Sequence, residues 1–305
     1  MFYPKYSNKT AVYSRLSLVI SGSVFEFYEF AEPIMYGERA KGRARNKKGG
    51  NKDDEESLLS SARRAKRNIS RLIRCNAFKW ADNDNKPYMP IILTLTFADE
   101  IRDIEKANDL FSNFIQRLNY SVNLVERGYF KKEAKKNLLK YSAVIEFQDK
   151  NRGGVIHYHI IFYNLPKMAK IYDRLNKIWG KGYFWVGTKP KNKKQKSFAY
   201  VKDNDKINKV VKYFTKYITK SFDDARLKSK KKYFNSRELF KPQKIIIEKV
   251  VDMIKKQMPK GALIYEAKDF KYTYLRMEKS FDYFKFDLAD YPDELAEAME
   301  LAKSA

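Results

Sequence analysis

Residues 141–163 read YSAVIEFQDKNRGGVIHYHIIFY, a stretch that predicts the centre of a β-sheet. Segments 141–147 and 155–163 are rich in β-branched and aromatic residues, which favours strands. The run 149–154 between them is polar and ends in two glycines, which is typical of a turn. The sequence therefore predicts an antiparallel hairpin.

The register of this hairpin sets which side chains face each other. If the hairpin centres on its turn, Gln148 pairs with Val155 and Glu146 lies opposite His157. Residues two apart in a strand project from one face, so His157 and His159 stand side by side with the carboxylate next to them. A slip of one residue would turn Glu146 to the opposite face.

The two histidines and the glutamate form a candidate metal site. Three ligands of mixed N and O type leave coordination positions open, which suits a catalytic Mg²⁺ or Mn²⁺ bound to a phosphate oxygen. The chain has two histidines and one cysteine, so a closed structural zinc site is disfavoured. The alternative is a polar strand face that happens to hold histidines.

Residues 204–222 have the spacing of an amphipathic helix. Its apolar face carries Ile207, Val211, Phe214 and Ile218. Tyr213 and Tyr217 are neighbours at i and i+4 on the flank of that face, beside a row of lysines formed by Lys212, Lys216 and Lys220. A phenolate can attack a metal-polarised phosphodiester, and ammonium groups such as those of Lys216 and Lys220 stabilise the developing negative charge. The alternative is a solvated basic helix with tyrosines at its core boundary.

The rest of the pattern predicts an α+β protein with a central antiparallel sheet and flanking helices. Further strands are predicted at 15–20, 24–30, 91–97 and 183–186 and within 262–286, and further helices at 53–75, 107–118, 175–179, 245–258 and 292–303. We divide the chain into an N-terminal hairpin with a basic arm (1–56), a catalytic domain with a leading basic helix (57–242) and a C-terminal helical extension with an acidic end (243–305).

The charge of the chain indicates a polyanionic partner. The sequence has 63 Lys plus Arg against 37 Asp plus Glu, a formal charge of +26. We expect phosphate contacts from Lys212, from the arm 41–48, from the loop 189–196 and from a group on the first long helix: Arg63, Arg64, Lys66, Arg67, Arg71 and Arg74. Tyr183, Phe184 and Trp185 are candidates for stacking on unpaired bases, with core packing as the alternative.

The same sequence indicates a cytoplasmic setting. Cys75 is the single cysteine and cannot form an intrachain disulfide. The first residues lack the pattern of a secretory signal, and no apolar run approaches the length of a membrane span. We therefore expect no membrane partner.

Three blocks in chain order carry a resemblance to a known superfamily. They are ILTLTF at 92–97, Glu146 with the HYH tripeptide at 157–159, and KYFTKYITK at 212–220. This order resembles the three motifs of the HUH endonucleases, in particular the rolling-circle replication initiators (Rep proteins) of small single-stranded-DNA phages and bacterial plasmids. The resemblance spans about residues 90–240 and leaves 1–60 and 260–305 unplaced.

The resemblance implies roles for particular residues. His157 and His159 would be metal ligands, with Glu146 as the third, and Tyr213 and Tyr217 would be nucleophiles. The implied reaction nicks one DNA strand at a replication origin and leaves a 5′-phosphotyrosine and a free 3′-hydroxyl that primes synthesis. Single-stranded origin DNA, a host helicase and a host polymerase would be partners in the cytoplasm of a bacterial host cell.

Two other functions fit the same residues. One is a mobilisation relaxase or a transposase of the same superfamily. The other is a non-enzymatic nucleic-acid-binding protein, whose affinity would fall with salt and would not depend on metal or on Tyr→Phe changes.

Overall fold

A computed structural model describes residues 12–36, 52–82, 84–126, 139–166, 170–186, 201, 204–227, 230–274 and 277–305. The arm at 41–48 and the loop at 189–196 lie outside the described residues. The chain forms two units, one made of residues 1–49 and 241–305 and the other of residues 50–240. The predicted division into three parts stays a prediction.

The helices and strands follow one another along the chain. The strands are β1 (Val12–Ser21), β2 (Val24–Tyr36), β3 (Ile91–Phe97), β4 (Tyr141–Gln148), β5 (Val155–Phe162), β6 (Gly182–Val186), β7 (Tyr233–Asn235), β8 (Gln243–Ile245), β9 (Leu263–Tyr274) and β10 (Met277–Asp287). The helices are α1 (Lys52–Asn76), α2 (Ile104–Glu126), the single turn α3 (Asp149–Arg152), α4 (Ile171–Trp179), α5 (Asn204–Asp223), α6 (Glu248–Lys256) and α7 (Pro292–Lys303).

The unit of residues 50–240 is built on one antiparallel sheet with the strand order β6-β3-β5-β4-β7. Strands β4 and β5 form the predicted hairpin, and its predicted register is confirmed: Gln148 pairs with Val155 and Glu146 with His157. Every residue of the central strand β5 is buried, because helices cover both faces of the sheet.

The two sheet faces have different helices. Helices α2 and α4 pack on one face, where Phe111 and Trp179 join the apolar core. Helices α1 and α5 cover the other face, where Ile69 and Phe214 pack on Ile161 of β5. Because α5 lies on this second face, its tyrosines share a layer with the histidines.

The turn between β4 and β5 is fastened from two sides. The Arg152 guanidinium donates to the backbone carbonyls of Phe97 and Ala98, at 2.6 and 2.9 Å. Arg226 donates to both carboxylate oxygens of Asp149, at 2.8 and 3.0 Å. Such bidentate contacts restrain the hairpin geometrically. They hold in place the end of β5 that begins two residues before His157.

The unit of residues 1–49 and 241–305 contains the second antiparallel sheet, with the order β8-β1-β2-β10-β9. The predicted N-terminal hairpin is present as β1 and β2. Strand β10 pairs with β2 along Phe281–Asp287, so the two ends of the chain share one sheet. The region expected to be a helical extension therefore contributes two long strands as well as α6 and α7, which pack on one face.

The whole architecture confirms the predicted α+β class. The short strands β7 and β8 were not predicted, because three residues carry too little periodicity to be read locally. Among the described helices, none is long and apolar enough to span a membrane.

Candidate active site

The candidate site is built on two rows of side chains that cross the sheet. Directly paired residues in a sheet project from one face. One row runs from Tyr183 on β6 through Thr96 and His157 to Glu146 on β4. The next row contains Trp185, Thr94, His159 and Val144 in the same strand order.

The alternation of β5 explains the HYH tripeptide. His157 and His159 are each only 4% exposed, which does not fit a solvated polar strand face. Tyr158 points to the opposite face, where its ring stacks on Phe111 at 4.5 Å and its hydroxyl donates to Asn108 Oδ1 at 2.7 Å. The middle position is therefore a core residue with its polar atom satisfied.

His159 is held at both ring nitrogens. Its Nε2 lies 2.8 Å from Glu146 Oε2, and its Nδ1 lies 2.8 Å from the Tyr213 hydroxyl and 3.0 Å from Thr94 Oγ1. A carboxylate accepts only, so a hydrogen on Nε2 donates to Glu146, and the Nδ1 of the neutral ring then accepts from the hydroxyls. The orientation of this ring is fixed by side chains from three elements.

The two ring nitrogens of His157 have different surroundings. Its Nδ1 lies 3.4 Å from Thr96 Oγ1, whereas its Nε2 is buried and has no hydrogen-bond partner among the described residues. Burial, reinforced by the neighbouring His159, lowers the pKa of His157 from 6.5 to about 4, although Glu146 acts in the opposite direction. The ring is thus neutral at neutral pH, the form in which imidazole binds metals.

Glu146 joins the histidines to the tyrosine helix. Lys220 Nζ donates to its Oε1 at 3.1 Å. Burial alone would raise the pKa of this carboxyl, but the hydrogen bonds and charges of His159 and Lys220 outweigh burial and the pKa is lowered. Glu146 is therefore a carboxylate at neutral pH.

The two tyrosines of α5 contact His159 in different ways. The ring of Tyr217 stacks on the imidazole with centroids 4.0 Å apart, and that of Tyr213 meets it edge-on at 5.2 Å. Burial raises the pKa of both phenols, and the charge of Glu146 acts in the same direction. Lys220, whose Nζ lies 5.6 Å from the Tyr217 ring centroid, partly offsets the rise in the pKa of Tyr217.

A divalent cation fits the donor chemistry of this cluster. Two imidazoles and a carboxylate converge, and the buried Nε2 of His157 is the kind of atom that a ligand satisfies. Within the described parts of the chain, no group of three or more His, Cys, Asp or Glu side chains stands ready-formed around a common point. The reason is visible at Glu146, whose two oxygens are taken by His159 and Lys220.

The basic residues predicted to contact DNA lie on the helices of the same face. Arg63, Arg64 and Arg67 of α1 are exposed, and Arg71 is half-buried. Lys212 and Lys216 of α5 are exposed as well. The structure thus places these cations on the layer that holds the tyrosines.

Sequence reasoning missed part of the site. Thr94 and Thr96 had been regarded as strand residues, yet their hydroxyls reach the Nδ1 atoms of the two histidines. The alternating Thr-Leu-Thr pattern of β3 was the available signal, since period two places both threonines on one face.

Comparison with known proteins bears on this region. Residues 90–222 match the family model of the replication-associated protein ORF2. The matched stretch includes the histidines, Glu146 and both tyrosines, and it supports a role in the initiation of DNA replication. Neither the search of curated proteins nor that of solved structures found a match.

Proposed function

We propose that the protein nicks and rejoins single-stranded DNA at a replication origin through a covalent phosphotyrosine. The observation that carries the proposal is the contact of both tyrosines of α5 with His159: a 2.8 Å hydrogen bond from Tyr213 and a 4.0 Å ring stack from Tyr217. Both phenols are thereby held against the buried sheet face that carries the histidines. The family match over 90–222 agrees with this role.

The proposed reaction exchanges one phosphodiester for another. A phenol oxygen attacks the phosphorus, the bond from phosphorus to the 3′ oxygen breaks, and the DNA is left with a 5′-phosphotyrosine and a free 3′-hydroxyl. The proton lost by the phenol balances the proton gained by the 3′ oxygen. Because the number of phosphodiesters is unchanged, a 3′-hydroxyl can later reverse the attack and reseal the strand.

The surrounding side chains have roles in this reaction. Nδ1 of His159 is within hydrogen-bond distance of the Tyr213 hydroxyl and can take its proton. Lys220, near Tyr217 and Glu146, and the exposed Lys216 supply positive charge that stabilises the transition state. Lys212 and the arginines of α1 hold the strand by its phosphates.

The cluster would hold a divalent cation through His157, His159 and Glu146. When bound, Mg²⁺ or Mn²⁺ would polarise the scissile phosphate and neutralise developing charge. Glu146 would then exchange its hydrogen bonds for the cation. Among the described residues, none occupies the Nε2 of His157, which leaves that atom for this purpose.

A covalent-adduct assay tests the proposal. The full chain is incubated with Mn²⁺ and overlapping single-stranded fragments of the DNA element that encodes it, and a denaturant-resistant protein–DNA species is sought on a gel. We expect an adduct that disappears with EDTA, in the His157→Ala/His159→Ala double variant and in the Tyr213→Phe/Tyr217→Phe double variant. Tyr233→Phe is the matched control, because Tyr233 lies on the same sheet face, paired with Val144.

The binding-module alternative gives a different result. It predicts salt-sensitive retention of every fragment with no adduct on any of them, with or without metal. An adduct that persists in the double histidine variant would instead leave the nuclease but remove the metal assignment. Unwinding of the duplex is assigned to a separate helicase, which strand-displacement assays with purified host helicases would identify.

A further inference from the structure

The edge strand β6 exposes two aromatic side chains on the face of the active site. Tyr183 is 74% exposed and Trp185 is 42% exposed. Tyr183 is paired with Thr96, the partner of His157, and Trp185 with Thr94, the partner of His159. Both rings therefore project from the sheet face that carries the histidines.

Core packing does not explain these two residues. The alternate positions of β6 are the packed ones: Phe184 stacks on Tyr172 with centroids 5.9 Å apart, and Val186 is buried in the core. Single exposed apolar residues are common on protein surfaces. Here, however, two large rings lie side by side in the same two rows as the histidines.

We infer that Tyr183 and Trp185 form a stacking platform for unpaired bases next to the scissile phosphate, an assignment that rests on the proposed function. Two strand spacings separate β6 from β5, so the platform lies about 10 Å from the histidines. That distance corresponds to roughly three stacked nucleotides at ~3.4 Å each. The platform would hold the strand close to the bond that is cut.

The spacing along β6 also suits bases. Residues two apart in a strand are separated by about 7 Å, which is roughly twice the stacking distance of bases, so one base fits between the two rings. Every base has a π-face, so such a platform accepts any sequence and requires single-stranded DNA. The exposed cations of α1 and α5 on the same sheet face complement the phosphates of that strand.

Alanine variants of the full chain test the platform by affinity. Binding of a fluorescein-labelled oligothymidylate is measured by anisotropy in EDTA, so that no cleavage occurs. We expect Tyr183→Ala and Trp185→Ala each to weaken binding about tenfold. Tyr120→Ala should bind as the wild type does, because Tyr120 is 68% exposed on α2, which packs on the opposite face.

Tryptophan fluorescence tests the stacking directly. The chain has three tryptophans; Trp179 is buried and Trp80 packs on Phe240, so Trp185 is the one placed to meet a base. We expect the oligothymidylate to quench the emission of the wild type and not that of Trp185→Phe, which should retain most of the affinity. Quenching that persists in Trp185→Phe would overturn the assignment of this residue.

The outcomes separate the platform from the nuclease. If both alanine variants bind the oligothymidylate as tightly as the wild type and have its circular dichroism spectrum, the platform is wrong even where the adduct forms. If the wild type forms no adduct but the alanine variants lose affinity and quenching, the platform stands and the proposed reaction fails.

Discussion

The two tyrosines of α5 differ in their surroundings, although both contact His159. Tyr213 directs its hydroxyl to Nδ1 of the imidazole, and its ring meets that imidazole edge-on. Tyr217 stacks flat on the ring and has Lys220 beside it. A nearby ammonium group favours the phenolate form, so Tyr217 is the better placed first nucleophile and Tyr213 the residue that orients His159.

Single tyrosine variants test this difference. We expect Tyr217→Phe to abolish formation of the first covalent adduct, because it removes the attacking oxygen. Tyr213→Phe should slow adduct formation about 10-fold to 100-fold, the usual effect of losing a group that orients a functional side chain. Time courses of adduct formation measure both rates. The assignment is reversed if Tyr213→Phe forms no adduct and Tyr217→Phe retains it.

The buried His157 predicts a pH dependence of stability. Its pKa is about 4 in the folded protein and 6.5 in the unfolded chain, so between these values the unfolded state binds more protons. The contribution is complete above about pH 6.5 and is lost as the pH falls to about 4, by roughly 3 kcal/mol. Urea unfolding in EDTA across this range measures it.

A matched variant separates His157 from the other titrating groups. His157→Gln has no imidazole to protonate, so its unfolding free energy should change less steeply with pH in the same window. Equal slopes for the wild type and the variant would show that His157 does not titrate as its burial indicates.

At the scale of elements, the start of β6 depends on one glycine. Gly182 has a φ of +146°, and a Cβ there would meet the backbone of β3 at Ala98 N and Thr96 O. Backbone atoms in a sheet cannot move aside as the end of a flexible side chain can. The close approach of β6 to β3 therefore requires glycine at this position.

Substitution of Gly182 should destabilise the sheet. We expect Gly182→Ala to lower the free energy of unfolding by about 2–3 kcal/mol, through backbone strain and a steric clash. Gly180→Ala is the control: its φ of +55° is also left-handed, but its Cβ would meet only Lys177 O at 3.5 Å, so about 1 kcal/mol is expected. Urea denaturation compares the two, and equal losses would argue against the clash.

At the scale of the whole molecule, the positive charge is unevenly distributed along the chain. Residues 241–305 contain 12 Lys plus Arg and 12 Asp plus Glu, and 12 − 12 leaves no net charge. The entire excess of 26 therefore lies in residues 1–240, which include the candidate active site. Attraction to a polyanion is concentrated in that part of the sequence.

This distribution predicts which charges matter for DNA binding. The affinity for single-stranded DNA should fall steeply with salt, and Arg67→Gln should lower the slope of log K against log salt by about 0.7, the value for one phosphate contact. Lys256→Gln removes an exposed cation that is paired with Asp252 in the neutral segment and should leave the slope unchanged. Anisotropy titrations at several salt concentrations decide between equal and unequal effects.

Local patterns determined a large part of this protein. The alternation and turn residues of 141–163 predicted both strands and the pairing of Glu146 with His157, because register in a tight hairpin is set by neighbours in the sequence. The spacing of Tyr213 and Tyr217 likewise predicted one flank of a helix. These features depend on residues only a few positions apart.

Only the tertiary structure decided which distant segments meet. It placed α5 on the sheet face of His159, left Tyr183 and Trp185 exposed beside the site, and joined β10 to β2, where Tyr283 donates to Glu26 across 257 positions. Such contacts follow from the burial of both faces of a sheet by whole helices, a free energy that belongs to the packed chain. Periodicity shows that an element has an apolar face, and packing decides which partner covers it.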